Sequence, residues 1–282
     1  MKSIVVSQLA KNAINPNVVD WVNRVVKNGG AKPSYTSVRA LNNFYNTITG
    51  SSYISKLKSV VCFVPDNLPA AFTPLIKTSG FDPWTNTGPF VDGDLTIDGI
   101  KGNASTKYLK TGCIPVTCFA STRSCGLTLY ITSGSEELKK DFGCTGAIAY
   151  EPAVILYPSS ASTCIWDGYY GGTGIGRISA ANALYTGYIS GNRTAANATA
   201  VYKAKSTVDH TTIVSGTSTL VGATKSTIEM YFMAGNQAGS VNAPSSKRHS
   251  FAAVHEGLTI EESSLFFNAI HQMRKEIGGG YV

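Results

Sequence analysis

The stretch GIKGNASTKYLKTG, Gly99–Gly112, lies in the middle of this 282-residue chain and consists mainly of small, polar and turn-forming residues. Its three glycines allow tight turns or close backbone approach at the ends of a short strand. Tyr108 and Leu109 point to opposite faces if the segment is extended. Asn103 can hydrogen-bond to the local backbone. Because the stretch has no catalytic side chain, it predicts an architectural element at an edge or corner of a β-sandwich.

Short β-strands are predicted from Leu95 onward, within this stretch and after it. Apolar or β-branched runs alternate there with turn residues, and this spacing predicts a sandwich or barrel. The runs are LTIDGI, KYLKTG, IPVTCFAS, LTLYITS, AIAY, AVILYP, CIWDGYY, GYIS, AVYKAK, TTIVSG, TIEMYFMAGN and HSFAAVHEG. The preceding segment, PDNLPAAFTPLIKTSGFDPWTNTGPF, is rich in Pro, Asn, Thr and Gly and is interpreted as an irregular connection.

Two helices are predicted ahead of the β region. In the first, Asn15 is a candidate cap and Pro16 suits the first turn. The second is expected between Ser34 and Gly50, where apolar residues recur every three or four positions. A third, short helix is expected to run directly into a strand. This module cannot bury its apolar faces alone, so it should pack on the rest of the protein or on a partner.

A closing helix is predicted near the C-terminus. Thr259 and Glu262 have the spacing of a capping box, and three glycines end the pattern. We divide the chain into an N-terminal helical module, 1–65, and a β-sandwich that ends in a helix, 66–282. The apolar stripe of the closing helix is predicted to comprise Leu265, Phe266, Ala269, Ile270 and Met273.

Charge and hydropathy argue against several classes of protein. Charged residues form 15% of the chain, and its net charge of +7 is scattered, so no nucleic-acid partner is expected. No apolar run approaches the roughly 20 residues that cross a bilayer, so no membrane insertion is expected. The N-terminal MKSIVVSQLAKNAINP lacks the long apolar core of a signal peptide, which predicts synthesis in a cytoplasm without export.

Three motifs stand near the two ends of the β region: GIKGNASTKYLKTG, YFMAGNQAG and HSFAAVHEGLTIEESSLFFNAIHQMRKEIG. Together they resemble bacteriophage virion structural proteins that carry a concanavalin A-like, or laminin-G-like, jelly roll. The pattern VVDWVNRVVKNGG is similar to the helical segment ahead of such domains. The resemblance implies a mainly β protein, a concanavalin A-like jelly-roll sandwich with an N-terminal helical module and a C-terminal helix.

The resemblance also implies a function. The expected protein is a non-enzymatic virion structural component, a capsid decoration or tail-associated protein, which contacts other virion proteins and forms a homo-oligomer. It would be made in the host cytoplasm and located on the virion. The alternative is a lectin-like, carbohydrate-binding adhesin that recognises host surface glycans with the same fold.

No catalytic constellation stands out. The Glu-x-Asp-x-x-Glu pattern of glycosidases with this fold is absent, and no serine lies in a Gly-x-Ser-x-Gly elbow. GGTGIGR lacks the residues of a phosphate-binding loop and is interpreted as a turn. We therefore predict no enzyme activity, no catalytic residues and no cofactor. No metal site is predicted either, although Asp92 and Asp94 stay open as ligands of a calcium ion.

The cysteines and histidines favour structural roles. None of the six cysteines lies in a C-x-x-C pair, and reduced core thiols are favoured over disulfides or metal ligands. His249 and His255 lie six residues apart on a predicted strand, so they are expected on the same face. Such a pair without a third ligand is interpreted as structural.

The candidate residues for glycan binding are Trp166, Asp167 and Tyr169. Aromatic faces stack on sugars, and a carboxylate accepts hydrogen bonds from sugar hydroxyls. The alternative is that Trp166 and one tyrosine fill the core of the sandwich, and this packing role is favoured.

Overall fold

Two mostly antiparallel β-sheets pack face to face in the computed structural model, and helices from both ends of the chain are present. The predicted mainly β sandwich with N-terminal and C-terminal helices is thereby confirmed. None of the described helices is long and apolar enough to cross a membrane. The structure describes residues 14–146, 153–160, 162–170, 176–182, 186–205, 209–217 and 224–282.

The α-helices are α1 (Pro16–Lys27), α2 (Tyr35–Thr49), α3 (Leu68–Phe72), α4 (Pro115–Cys118) and α5 (Ile260–Ile277). The strands are β1 (Leu57–Cys62), β2 (Ile76–Lys77), β3 (Thr85–Asn86), β4 (Leu95–Thr96), β5 (Gly99–Lys101), β6 (Leu109–Lys110), β7 (Cys125–Ser133), β8 (Phe142–Thr145), β9 (Ala153–Ser160), β10 (Thr163–Tyr170), β11 (Arg177–Ala181), β12 (Gly187–Ala195), β13 (Ala198–Ala204), β14 (Thr211–Gly216), β15 (Tyr231–Phe232), β16 (Gly235–Gln237), β17 (Ser240–Asn242) and β18 (Arg248–His255).

Sheet A has the strand order β14-β13-β12-β7-β18-β1-β2, with β5 on β18 and β4 on β5. Sheet B has the order β11-β10-β9-β8-β15-β6-β3, with β16 on β8 and β17 on β16. The apolar core between the sheets includes Leu127, Leu129, Leu156, Trp84 and Phe232. These side chains are buried because alternate residues of each strand point toward the facing sheet.

Helices α1, α2 and α5 share a second apolar core with sheet A. The ring of Phe251 in β18 lies 6.0 Å from that of Phe44 in α2 and 5.6 Å from that of Phe266 in α5. The helical module therefore buries its apolar faces on the sandwich, which is one of the two partners expected for it.

The helix boundaries agree with the capping signals in the sequence. The side chains of Asn15 and Ser34 accept backbone N–H bonds at the starts of α1 and α2. Thr259 and Glu262 form the predicted capping box of α5. One member of its predicted apolar stripe is wrong: the Leu265 side chain is 57% exposed, because it lies on the side of α5 that faces away from the sheet.

The stretch Gly99–Gly112 forms a corner of the sandwich, as expected. Its first three residues are β5 of sheet A, and Leu109 and Lys110 near its end are β6 of sheet B. Asn103 Oδ1 accepts backbone N–H bonds from the three residues 105–107. A side chain at Gly102 would collide with the carbonyl oxygen of Ser245. The chain thus passes from sheet A to sheet B through a turn that Asn103 stabilises and that requires glycine at position 102.

Other sequence expectations have different outcomes. IPVTCFAS is predicted as a strand, but it contains α4, which begins at Pro115 because proline suits a first helical turn. The third helix is reduced to the 3₁₀ turn Ile54–Lys56 ahead of β1. The predicted boundary between the helical module and the sandwich, at residue 65, comes after β1 in the chain. This strand lies inside sheet A, between β18 and β2. The predicted strand AIAY and most of the GGTGIGR turn lie outside the described residues.

Candidate functional site

Trp166 lies in the core between the sheets and is 0% exposed. Its ring packs on Gly191 of β12, where an added Cβ would come 2.4 Å from the indole. Only glycine leaves room for the indole there. Trp166 therefore packs in the core, which was the alternative to glycan binding, and no face of its ring lies at the surface.

Tyr169 also points into the core, where its ring lies edge-on to that of Phe119. Simple alternation along β10 would place Tyr169 on the same face as Asp167. The pairing with β9 shifts between Gly168 and Tyr170, and Tyr169 has a φ of +63°. This bulge turns Tyr169 inward and Tyr170 outward.

Asp167 lies on the outer face of sheet B, but its carboxylate is covered. Arg177 donates two hydrogen bonds to it, at 2.6 and 2.7 Å, and the side chain is 1% exposed. The Arg177 guanidinium also lies 4.3 Å from the centre of the Tyr170 ring. Burial raises the pKa of Asp167, and the hydrogen bonds from Arg177 oppose that rise. None of the three predicted residues offers a free polar atom or ring face to a surface ligand.

Of the two candidate calcium ligands, Asp94 already contacts other groups of the protein. Asp94 Oδ2 accepts a hydrogen bond from the Val91 backbone N–H and forms an ion pair with Lys107. Asp92 and Asp94 belong to a single 3₁₀ turn. The described residues contain no cluster of three His, Cys, Asp or Glu side chains suited to a metal ion.

The expectation that His249 and His255 share one face is wrong. Ser250 is an extra residue in β18 relative to β7, which produces a bulge between His249 and Phe251. The His249 ring therefore packs on Phe232 between the sheets, whereas the His255 ring packs on Phe266 of α5. The two imidazoles lie on opposite sides of sheet A.

A buried charged cluster surrounds Asp141, but its chemistry is structural. Lys247 Nζ lies 3.1 Å from both Asp141 Oδ2 and Glu137 Oε1, and Ser245 donates to Asp141 Oδ1 at 2.7 Å. Burial alone would raise the pKa of Asp141, but Lys247 and His249 outweigh it and leave the pKa at about 2. A carboxylate held ionised by these partners is unsuited to proton transfer near neutral pH.

A surface pocket beside α3 combines an exposed aromatic ring with polar groups. We call it the Phe81 pocket. The helix α3 forms one wall, the segment that leads through β3 forms the other, and the residue after α1 lies at the rim. The pocket has a volume of about 620 Å³ and is lined by Asn28, Leu68, Pro69, Phe72, Phe81, Asp82, Pro83, Trp84, Thr85 and Asn86.

Phe81 is held in place although its side chain is 45% exposed. Its backbone N–H donates to the carbonyl oxygen of Thr111 at 2.7 Å. Gly112 lies directly against the ring, since an added Cβ would come 2.6 Å from Phe81 Cγ. Trp84, which also lines the pocket, is buried and donates its indole N–H to Ser59 Oγ at 3.1 Å. The pocket thus has an ordered aromatic ring and a fixed floor.

Asp82 brings charge to the rim of the pocket. Arg24 Nη1 donates to Asp82 Oδ1 at 3.1 Å, and Lys77 Nζ lies 3.4 Å from Asp82 Oδ2. The amide of Asn28 donates to Thr73 Oγ1 at 3.1 Å, which orients it beside Asp82. Each carboxylate oxygen is therefore paired with a cation and keeps lone pairs beyond that contact, in a side chain that is 9% exposed.

Two other depressions in the described part of the chain lack an exposed ring. A groove of about 440 Å³ between α2 and α5 contains Phe44, which is buried. A polar depression of about 470 Å³ on β12–β14 contains Tyr202, which is also buried. Among the three, the Phe81 pocket best fits a ligand with both apolar and hydroxyl faces.

Sequence reasoning missed this pocket, because the segment that forms it was interpreted as an irregular connection. A signal was present in Phe81-Asp82-Pro83-Trp84, where two aromatic rings and a carboxylate stand together in a loop rich in Pro and Gly. Loops on a rigid scaffold frequently carry function. Gly112, which contacts Phe81, and Arg24, which contacts Asp82, lie far from this loop along the chain.

No family model and no curated protein match this sequence. Solved structures with a similar fold include domain 4 of an extracellular arabinanase from Geobacillus stearothermophilus, in complex with arabinotriose. It is 14% identical, with a TM-score of 0.45, over 75% of this chain and 98% of that one. The CBM40 module of the Ruminococcus gnavus IT-sialidase is 9% identical, with a TM-score of 0.39, over 52% of this chain and 83% of that one.

The NanB sialidase of Streptococcus pneumoniae is 12% identical, with a TM-score of 0.41, over 51% of this chain and 24% of that one. The virion role implied by the sequence resemblance stays a prediction.

Proposed function

We propose that this chain is a non-enzymatic carbohydrate-binding protein and that the Phe81 pocket holds the sugar. The observation that carries the proposal is the exposed, backbone-anchored ring of Phe81 next to the carboxylate of Asp82. A sugar ring presents C–H groups on its faces and hydroxyls at its edge. An aromatic face packs against the C–H groups, and a carboxylate accepts from the hydroxyls.

The charge of the pocket favours an uncharged sugar. Arg24 and Lys77 beside the pocket are balanced by the carboxylates of Asp20 and Asp82, so these four groups leave no net charge that would attract an acidic sugar. The Asn28 amide beside Asp82 adds hydrogen-bonding capacity for a hydroxyl. A neutral pentose or hexose unit, free or at the end of a glycan, fits this combination best. Host surface glycans, the ligands expected of an adhesin, are one source of such units.

The same lining supports binding without hydrolysis. Glycoside hydrolysis by the common mechanisms uses two carboxyl groups on either side of the scissile bond. Among the described residues that line the Phe81 pocket, Asp82 is the one carboxylate, and it is already paired with Arg24 and Lys77. This arrangement suits a fixed acceptor of hydrogen bonds.

A glycan array followed by calorimetric titration tests the proposal. Purified protein should bind at least one neutral glycan, and Phe81→Ala should weaken that binding about 10-fold, equivalent to about 1.4 kcal/mol. Tyr35→Ala is the matched control, because Tyr35 is an aromatic residue that is 69% exposed on α2 and outside the pocket. It should bind like the wild type.

The absence of any bound glycan would overturn the proposal, as would equal affinity of Phe81→Ala and Tyr35→Ala. Binding of acidic glycans alone would contradict the choice of sugar. The predicted contact with capsid or tail proteins is tested separately, by immunogold labelling of purified virus particles.

A further inference from the structure

The outer face of sheet B continues from the Phe81 pocket onto β6 and β15. Thr85 is exposed, lines the pocket and is the antiparallel partner of Lys110 in β6. Lys110 is in turn the antiparallel partner of Tyr231 in β15. Side chains directly opposite each other on neighbouring strands lie on the same face, with Cβ atoms about 5 Å apart. Thr85, Lys110 and Tyr231 therefore form a row across the sheet that begins at the pocket.

Two residues of this row form an ordered group with Tyr108. Leu109 and Phe232 point into the core, so their neighbours Tyr108, Lys110 and Tyr231 point outward. The Tyr108 and Tyr231 ring centres lie 4.9 Å apart, and Lys110 Nζ lies 5.9 Å from the centre of the Tyr231 ring. Tyr231 is buried, whereas Tyr108 and Lys110 are partly exposed. The buried ring thus gives Tyr108 and Lys110 a fixed support.

Glu229 adds a partly exposed carboxylate beside this group. Its Oε2 accepts a hydrogen bond from the backbone N–H of Gly112 at 3.2 Å, and the Phe81 ring packs against Gly112. We call Tyr108, Lys110 and Glu229 the Tyr108 patch. The patch adjoins the Phe81 pocket at two points, because Lys110 is opposite Thr85 and Glu229 binds Gly112.

We propose that the Tyr108 patch is a second sugar subsite and that the ligand is a neutral oligosaccharide of two or more units. This inference rests on the proposed function of the Phe81 pocket, which holds the first unit. A glycan chain that leaves the pocket past Thr85 reaches Lys110, the next side chain in the row. The observations that carry the proposal are the supported ring of Tyr108 and the continuous outer face between the two subsites.

The patch offers the second unit the same kinds of contact that the pocket offers the first. The exposed part of the Tyr108 ring packs against the C–H groups of a sugar ring. The Lys110 ammonium donates to hydroxyl oxygens, and the Glu229 carboxylate accepts from hydroxyl groups. Because these two residues carry opposite charges, they add no net charge that would select an acidic sugar. The stretch Gly99–Gly112 then has a binding role besides its role as a corner.

Affinity as a function of sugar length tests this inference. The probes are glucose, galactose, xylose and arabinose, together with the linear disaccharides and trisaccharides of each, titrated calorimetrically into the full chain. In at least one series, the disaccharide or trisaccharide should bind about 10-fold more tightly than the monosaccharide, because the second unit adds an aromatic contact and hydrogen bonds.

Two variants assign this gain in affinity to the patch. Tyr108→Ala should bring the affinities for the monosaccharide and the longer sugar close together. Lys110→Met should reduce the gain, because methionine keeps an apolar stem without the ammonium group. Lys101→Met is the matched control and should keep the full gain, because Lys101 is an exposed lysine of the same stretch that lies in β5 of sheet A. If Tyr108→Ala fails to fold, Lys110→Met decides.

Equal affinity for all sugar lengths would overturn the second subsite, while the single-sugar function of the Phe81 pocket would stand. The same conclusion follows if Tyr108→Ala and Lys110→Met both keep the full gain. If the protein binds none of these sugars, the proposed function itself is overturned, and this inference with it.

Discussion

The ring of Phe81 rests on the backbone of Gly112, so closely that a methyl group at Gly112 would come 2.6 Å from Phe81 Cγ. Gly112 has a φ of +67°, a conformation that glycine adopts without strain. The two residues join the loop of the Phe81 pocket to the corner stretch Gly99–Gly112. The orientation of an exposed aromatic ring is thereby set by the sandwich itself.

Gly112→Ala should displace the Phe81 ring and weaken glycan binding. The methyl group collides with the ring, and the positive φ adds about 1 to 2 kcal/mol of destabilisation. Glycan titration and thermal unfolding measure the two effects. Gly50→Ala is the control, because an added Cβ there has no neighbour within 4 Å and φ is −80°. Equal affinity of Gly112→Ala and Gly50→Ala would contradict the assigned role of the ring.

Asp82→Asn should weaken binding while the chain stays folded. The amide keeps the shape of the carboxylate but accepts weaker hydrogen bonds from sugar hydroxyls, so we expect roughly a 10-fold loss of affinity. Asp20→Asn is a matched control, because Asp20 also pairs with Arg24 but does not line the Phe81 pocket. If the two variants bind alike, Asp82 does not contact the ligand.

Trp166→Phe should lower stability without changing glycan affinity. The smaller ring leaves a void over Gly191 in the core, at a cost of about 2 kcal/mol in the free energy of unfolding. Chemical denaturation and glycan titration give the two values. A loss of affinity in a variant that remains folded would instead show that Trp166 belongs to the binding site, which was the hypothesis from the sequence.

His255 should make the protein less stable in mild acid. Its Nδ1–H donates to the Glu256 carbonyl oxygen at 2.7 Å, so in the neutral ring Nε2 accepts from Thr128, 2.8 Å away. Burial lowers the pKa of His255 to about 4, below its unfolded value near 6.5. Between those two pH values the unfolded chain binds more protons, so stability falls as the pH falls.

For His255 alone, this linkage amounts to about 2 kcal/mol between pH 7.5 and pH 5.0. The measurement is the free energy of unfolding at both pH values for the wild type and for His255→Gln. The variant should show a smaller loss on acidification, although other histidines still contribute. An equal loss in both proteins would contradict the buried, neutral state of His255.

Lys247→Met should be strongly destabilising, and a second substitution should recover part of the loss. Removing Lys247 takes the ammonium group away from the buried Asp141 carboxylate and leaves it with the His249 imidazole, 3.0 Å away, at a cost of about 3 to 5 kcal/mol. Adding Asp141→Asn removes the uncompensated charge, so the double variant should be more stable than the single one. Denaturant titration of both variants decides this, and a double variant no better than Lys247→Met would contradict the pairing.

Features encoded by neighbouring residues were predictable from the sequence. The caps Asn15, Ser34 and Thr259 mark helix starts because each side-chain oxygen satisfies a nearby backbone N–H. The corner at Gly99–Gly112 was predictable for the same reason, since Asn103 binds backbone groups within four residues.

Features that depend on strand register were not predictable. One extra residue in a strand reverses every side chain beyond it, and nothing local marks Ser250 or Tyr169 as the site of such a bulge. The Phe81 pocket requires contacts with Gly112 and Arg24, which lie far away along the chain. Only the folded sandwich brings these residues together.

The most direct measurement is an NMR titration of the protein with a neutral glycan that it binds, in which the chemical shifts of the backbone amides are followed. We expect saturable shifts that are largest for the residues around the Phe81 pocket, at Asn28 and over 81–86, and small along β9–β11. The largest shifts around Asp167 and Tyr170, or on β12–β14, would place the ligand elsewhere and contradict the account.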